Sequence, residues 1–371
     1  MIPGLDGLRA LAFLAVFLFH SGYLPFGWVG VQFFFVLSGF LITNILLKMK
    51  ETFAAKDYFY KFYGRRFLRI FPLYYLYLFL MTIVFVFLPV KGFLSTETNE
   101  MFRKQIGFAF GYVYDFFHAS AGFQLNRFFS HLWSLSVEEQ FYIVWPLLIL
   151  LVPRNKFKTL CLVAIGIGPV ARLVTLVIYR QHVFPFLLDN PALAVYVLPF
   201  SYLDAFAIGA YISQYEIRQP RLKLLILLLF IPLAGMACDY ISTGTLSLSS
   251  LGYSMPLTNG YKEIWGYSLL NCLFASITYC AAKTRLFSRI LDTKILQYLG
   301  KISYGLYIYH NILIAFIIVL FIKLKWNFPL QTPVILLTTL TCTILVAVAS
   351  YHIFEKPITQ IKEKLFTVSH S

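Results

Sequence analysis

Ten runs of apolar residues follow one another along this chain, separated by polar segments. They lie near Leu8 to Tyr23, Trp28 to Leu47, Phe67 to Val90, His131 to Val152, Phe157 to Tyr179, Ala192 to Ser213, Leu222 to Tyr240, Ile264 to Ala282, Ile302 to Ile322 and Pro333 to Phe354. A hydrocarbon core about 30 Å thick takes roughly 20 residues of helix at about 1.5 Å per residue. The pattern therefore predicts an all-α polytopic membrane protein with about ten transmembrane helices. Two connections are long, Lys91 to Ser130 and Ile241 to Glu263, and neither is large enough for a separate globular domain. Residues 1–371 are thus expected to form one membrane domain with no separate soluble domain. No internal repeat stands out, which disfavours the duplicated architectures of many secondary transporters.

Composition agrees: 59% of the residues are hydrophobic and 13% charged. The net charge of +15 invites a nucleic-acid partner, but the basic residues fall in short clusters between apolar runs, the pattern of positive-inside topogenesis. With the amino terminus inside, alternate connections hold 21 Lys and Arg on the inner side and eight on the outer side. Both termini are therefore expected in the cytoplasm, with a lipid bilayer and no nucleic acid as partner. The start Met1-Ile2-Pro3-Gly4 lacks a basic segment and the first run carries polar groups, so it is expected to remain as a helix and not be cleaved as a leader. Cys161, Cys238, Cys272, Cys280 and Cys342 sit in or beside apolar runs without a CxxC pair, which reads as small buried hydrophobes and no metal site.

Against this background, the polar residues inside the runs carry the chemistry. From Gly4 to His20 the chain is apolar except for Asp6, Arg9 and His20. The step of eleven residues from Arg9 to His20 returns a helix to within about 20° and separates the two by roughly 16 Å along one face. Ionisable residues in a membrane point to function, because their burial in lipid is costly. The fourth run opens His131-Leu132-Trp133-Ser134-Leu135-Ser136-Val137-Glu138-Glu139-Gln140-Phe141-Tyr142 and enters from the outer side that His20 approaches. A carboxylate beside an imidazole orients it and raises its basicity, which suits general-base work on a hydroxyl. Glu138 and Glu139 point about 100° apart, and either can turn toward the first helix; Glu138 is the assignment made here. A structural carboxylate tying two helices is the plain alternative.

Arg66 and Arg69, at the inner mouth of the third run, share a face at a spacing that suits phosphate groups. The plain alternative is a topogenic stop signal. A phosphate-bearing donor held at the cytoplasmic face needs an arm of roughly 16 Å to reach His20, about the length of a pantetheine chain. Arg172 and Asp204 are expected to neutralise each other in mid-membrane. His310 either lines a donor channel or is a satisfied helix-contact histidine, and Glu355-Lys356-Pro357 is expected to end the last helix.

These residues resemble the bacterial acyltransferase-3 family of integral membrane O-acyltransferases. The likeness rests on Arg9 and His20, on Gly30 to Ile42, on Arg66-x-x-Arg69 with Pro72, on Trp133 to Tyr142 with Pro146, and on the Ser303-Tyr304 and Glu355 to Pro357 stretches. Two positions depart from the family pattern: Tyr202 replaces a basic residue and Ile312 a proline. The resemblance implies an acyl-CoA donor, usually acetyl-CoA, bound from the cytoplasm, and a carbohydrate acceptor such as a cell-envelope glycan, at a bacterial inner membrane. In that scheme His20, Glu138 and Arg9 are catalytic, and Arg66, Arg69, Arg9 and His310 bind the donor. Glu139 and Trp133 contact the acceptor. No fused outer hydrolase-like domain is expected. The rival class is a proton-coupled transporter or flippase with His20, Glu138 and Asp204 as a proton path.

Overall fold

All ten apolar runs form helix in the computed structural model, which describes residues 2–87, 96–325 and 333–366. In chain order the helices are α1 (Leu5–His20), α2 (Val29–Thr52), α3 (Ala55–Thr82), α4 (Thr96–Phe110), α5 (Tyr114–His118), α6 (Leu132–Leu151), α7 (Phe157–Arg180) and α8 (Pro191–Val197). They continue with α9 (Leu203–Gln214), α10 (Pro220–Thr243), α11 (Lys262–Thr284), α12 (Ser288–Leu291), α13 (Lys294–Lys301), α14 (Ser303–Lys323), α15 (Pro333–Ser350) and α16 (Lys356–Leu365). No strand forms among the described residues. Eight helices among them are long and apolar enough to cross a membrane, and nine when α8 and the stretch Pro199–Gln214, bent by 65°, count as one span. The tenth run is α1, whose 16 residues fall short of a full span by themselves. The outer end expected near Val90, with Lys91, lies outside the described residues.

The helices gather into two compact units, the first made of Met1–Ile45, Ala119–Gly122 and Leu151–Ser303 and the second of Leu46–His118, Phe123–Leu150 and Tyr304–Ser371. In the first, bare backbone sets the helix spacing. A Cβ on Gly39 of α2 would lie 2.9 Å from the Phe206 Cα of α9, and one on Gly209 of α9 would lie 2.9 Å from the Phe40 nitrogen of α2. Small residues permit such close approach where lipid gives no hydrophobic drive to association. The start of α1 is seated by the Gly4 amide, which donates to Asp292 Oδ1 at 2.8 Å. The long connection after α10 is tied down by the Trp28 indole donating to Tyr253 O at 2.9 Å and by Lys262, which meets Asp239 and the Gly252 carbonyl.

In the second unit, tyrosines do much of the tying. Tyr58 donates to Pro146 O, Tyr74 to Ala109 O and Tyr77 to Phe128 O, at 2.9, 2.8 and 2.7 Å. Each phenol fills apolar space with its ring and satisfies a carbonyl with its hydroxyl. Two expectations are corrected here. The helix of the third run begins at Ala55 and not near Phe67, because the preceding stretch, although charged, contains no proline and a helix tolerates its charges and Gly64. The last helix does not end at Pro357: a π-helical turn, Tyr351–Glu355, leads into α16. Pro357 sits in the first turn of α16, where its missing N–H is no loss.

Candidate active site

The first unit carries Arg9 and His20. Helix α1 is unbroken between them, so the roughly 16 Å separation along one face stands. Both side chains are half-buried, while Phe13 and Val16 on the same stripe are 1% and 0% exposed. His20 is the last residue of α1, and its ring centroid lies 5.3 Å from that of Phe19.

Also in the first unit, Arg172 and Asp204 form the expected pair. Nη1 meets Oδ1 at 3.0 Å and Nη2 meets Oδ2 at 2.8 Å, with the side chains 0% and 2% exposed. The Ser268 hydroxyl donates to Asp204 Oδ2 at 2.6 Å, and the Arg172 Nε donates to Ile264 O at 2.9 Å. With every charge answered, this is a fastening of α7 to α9 and α11.

The second unit collects the remaining candidates. Because α3 starts early, Arg66 and Arg69 lie well inside a continuous helix and not at its mouth. The half-buried Arg66 guanidinium sits over the Tyr142 ring at 5.2 Å and near the Phe62 ring at 5.9 Å. Tyr142 in turn donates to Glu138 Oε1 at 2.5 Å. Arg66 lies within electrostatic range of Arg69, Glu138 and Glu139. Arg69 is exposed, and Glu355 is in its range. Sequence reasoning assigned the arginines and the carboxylates to different jobs; the structure puts Arg66 with Glu138 and Glu139. Tyr142 was missed as the connecting group, although its spacing of four from Glu138 on a helix was the available signal.

Successive residues on α6 take three directions, as helical geometry requires. Glu138 is half-buried and bound by Tyr142, while Glu139 is 8% exposed and forms no hydrogen bond among the described residues. The Gln140 amide donates to Tyr112 O at 3.1 Å and to Asp115 Oδ1 and Oδ2 at 3.0 and 3.1 Å. Burial pushes the Asp115 carboxyl up to about 7, with the Gln140 bonds acting against the rise. Trp133 is buried at 4% exposure in the first turn of α6.

His310 is fully buried, and its Nδ1 donates to Tyr307 O at 2.6 Å. Its ring centroid is 5.2 Å from that of His131, whose Nε2 donates to Ile308 O at 3.2 Å. The carbonyl partners fix one tautomer for each ring when neutral. Next to them, Ser134 Oγ and the Tyr307 hydroxyl are 2.6 Å apart. His131 had no assigned role in the sequence. Its place two residues before Trp133 was the only hint.

The model of an acyltransferase-domain family matches residues 2–349. The O-acetyltransferase OatA of Staphylococcus aureus is 29% identical over 387 residues, covering 98% of this chain and 58% of that protein. The peptidoglycan O-acetyltransferase OatA of Listeria monocytogenes is 30% identical over 397 residues, covering 96% and 56%. The putative peptidoglycan O-acetyltransferase YrhL of Bacillus subtilis is 29% identical over 378 residues, covering 96% and 55%. The chain therefore spans little more than half the length of these curated relatives. No solved structure matches it.

Proposed function

The chain belongs to the acyltransferase-3 family, and from that premise we propose that it is a multi-pass O-acetyltransferase of a bacterial inner membrane, moving an acetyl group from cytoplasmic acetyl-CoA to a hydroxyl of peptidoglycan. What carries the reading is the end-to-end family match, with relatives named O-acetyltransferases. It is supported by the positive charge of Arg66 inside the helices of the second unit and by the stripe of Arg9 and His20 on α1.

In this reading Arg66 and Arg69 hold the donor's phosphates, with His310 and Arg9 along its path. His20 takes the proton of the acceptor hydroxyl as the oxygen attacks the thioester carbonyl. The C–S bond breaks, CoA leaves as thiolate, and the proton held on His20 returns to that sulfur or to solvent. Glu138 is assigned as the carboxylate that favours the imidazolium, and Trp133 and Glu139 as contacts to the acceptor; these assignments rest on the motif order.

The test is label transfer. Membranes holding the protein are given acetyl-CoA labelled in the acetyl group, and glycan label and free CoA are followed. Wild type is expected to label glycan, and His20→Ala to lose at least 100-fold while still inserting, since removing a general base costs about 10²–10⁴. Wild-type membranes that release no CoA and label no glycan overturn the reading, and a folded His20→Ala protein with near-normal turnover overturns the role of His20.

A further inference from the structure

Tyr112 lies in the turn between α4 and α5, in the connection that the charge count places on the outer side. Its backbone is left-handed, with φ at 52°, a conformation that costs energy for a residue with a Cβ. The turn is held there by the Gln140 amide on the Tyr112 carbonyl, with Asp115 gripping the same amide. The result is a ring driven inward: it stacks on Tyr74 at 4.2 Å and on Phe71 at 5.2 Å, and the residue is 8% exposed.

The hydroxyl at the end of that ring is buried and has no hydrogen-bond partner. Its neighbours are already committed: Tyr74 donates to Ala109 O, Tyr75 to Phe110 O and Tyr304 to Ile70 O, at 2.8, 3.1 and 3.1 Å. Tyr304 and Glu139 are among the charged or polar groups in its electrostatic range. Glu139, as described, makes no hydrogen bond among the described residues either. A buried hydroxyl donor without a partner and a carboxyl group that makes no hydrogen bond among the described residues thus share one region of the second unit, where the Gln140 amide next to Glu139 holds the Tyr112 carbonyl. A buried hydroxyl left without a partner is costly, so the Tyr112 donor calls for a group that completes it.

We infer that Tyr112 and Glu139 together bind a hydroxyl of the glycan acceptor, the phenol donating to its oxygen and the carboxyl group accepting its proton. A hydroxyl is both acceptor and donor, which is what this pair of groups requires. The inference rests on the acyl-transfer reading above and adds Tyr112 to it as a substrate-binding residue. It also gives Glu139 a task distinct from that of Glu138, which is occupied by Tyr142. A site built around a hydroxyl discriminates strongly against ligands that lack it, because its buried polar groups are then left unpaired.

The experiment measures steady-state transfer from labelled acetyl-CoA to a soluble peptidoglycan fragment, in wild type, Tyr112→Phe and Glu139→Gln. Tyr75→Phe, whose hydroxyl bonds at the exposed surface of α3, is the control. Tyr112→Phe and Glu139→Gln are each expected to raise KM for the fragment at least tenfold, with KM for acetyl-CoA and the thermal midpoint close to wild type. Tyr75→Phe is expected to stay within twofold. Unchanged KM values in both variants would mean that a trapped water completes the pair, and overturn the inference. So would a rise in KM for acetyl-CoA alone, which assigns the pair to the donor's amide groups, or an equal rise in Tyr75→Phe. Glu139→Gln keeps the question open to refutation if Tyr112→Phe fails to fold. Wild-type protein that transfers nothing fails the reading of the function itself, a result separate from wild-type activity with unaffected variants.

Discussion

Arg66 shows how a residue's surroundings decide what its charge can do. Its guanidinium lies over the Tyr142 ring, 5.2 Å from the centroid, and its forked donors can grip a phosphate at two points where a lysine ammonium offers a single point charge. Arg66→Lys is therefore expected to raise KM for acetyl-CoA several-fold while leaving saturated turnover less affected, measured on inside-out vesicles; an unchanged KM would return Arg66 to a topogenic role. Asp115 gives a prediction of the opposite kind, about stability. Burial holds its carboxyl up at about 7, whereas in an unfolded chain it titrates near 3.9. Between these values the unfolded chain has given up the proton and the folded one keeps it, so stability falls as pH rises through the window and levels off above it. Asp115→Asn should melt close to wild type at pH about 4 and increasingly above it by pH about 8. A difference in midpoint that does not change with pH would contradict this account. At this scale the sequence was legible in two placements: Arg9 and His20 share one face of a single unbroken helix, and Arg172 pairs with Asp204 across neighbouring helices. It was silent on Tyr112, whose part depends on a left-handed turn and on the Gln140 amide, neither of which a hydrophobic pattern encodes.

Among the described residues, the apolar runs identified every helix long and apolar enough to cross a membrane, because burial in lipid demands the same thing of each: about 20 apolar residues with internally satisfied backbone; α4, Thr96–Phe110, lay in a connection and was not identified. Their ends were less legible. Helix α3 extends back to Ala55 through Lys56, Asp57 and Lys61, residues that a hydropathy window rejects but a helix tolerates. The π turn at Tyr351–Glu355, which leads into α16 just before Pro357, leaves no mark in composition at all. Close helix contact was likewise hidden in Gly39 and Gly209, which read as two glycines among many. A side chain at Gly39 would force α2 and α9 apart. Gly39→Leu is expected to cost about 1–3 kcal/mol or more, seen as a lower melting midpoint in detergent. Gly166→Leu on α7, where a Cβ would meet nothing within 4 Å, is the matched control. Equal midpoints for the two would show that the α2–α9 approach is not what sets the spacing.

For the whole molecule the open quantity is parity. Among the described residues eight candidate spans stand by themselves, the bent pair of α8 with Pro199–Gln214 would make nine, and α1 would make ten. Ten crossings would put both ends of the chain on one side, and the 21 basic residues against eight predict that this side is the cytoplasm. The weak member is α1: its 16 residues give about 24 Å of helix against about 30 Å of hydrocarbon. Two features favour its crossing. Beyond His20 the backbone keeps turning, with Tyr23 and Leu24 amides donating to Leu18 O, so apolar residues extend the element past its formal end. The half-buried Arg9 is long enough to snorkel toward the inner headgroups. If α1 did not cross, nine spans would place the two ends on opposite sides, and Arg9 and His20 could not face different sides of the membrane. Reporter fusions before Met1 and after Ser371 decide this directly. Fluorescent-protein fusions are expected to glow at both ends, and alkaline phosphatase fusions to be silent at both. Phosphatase activity at the amino end alone would remove α1 from the membrane, and with it the stripe on which the role of His20 depends.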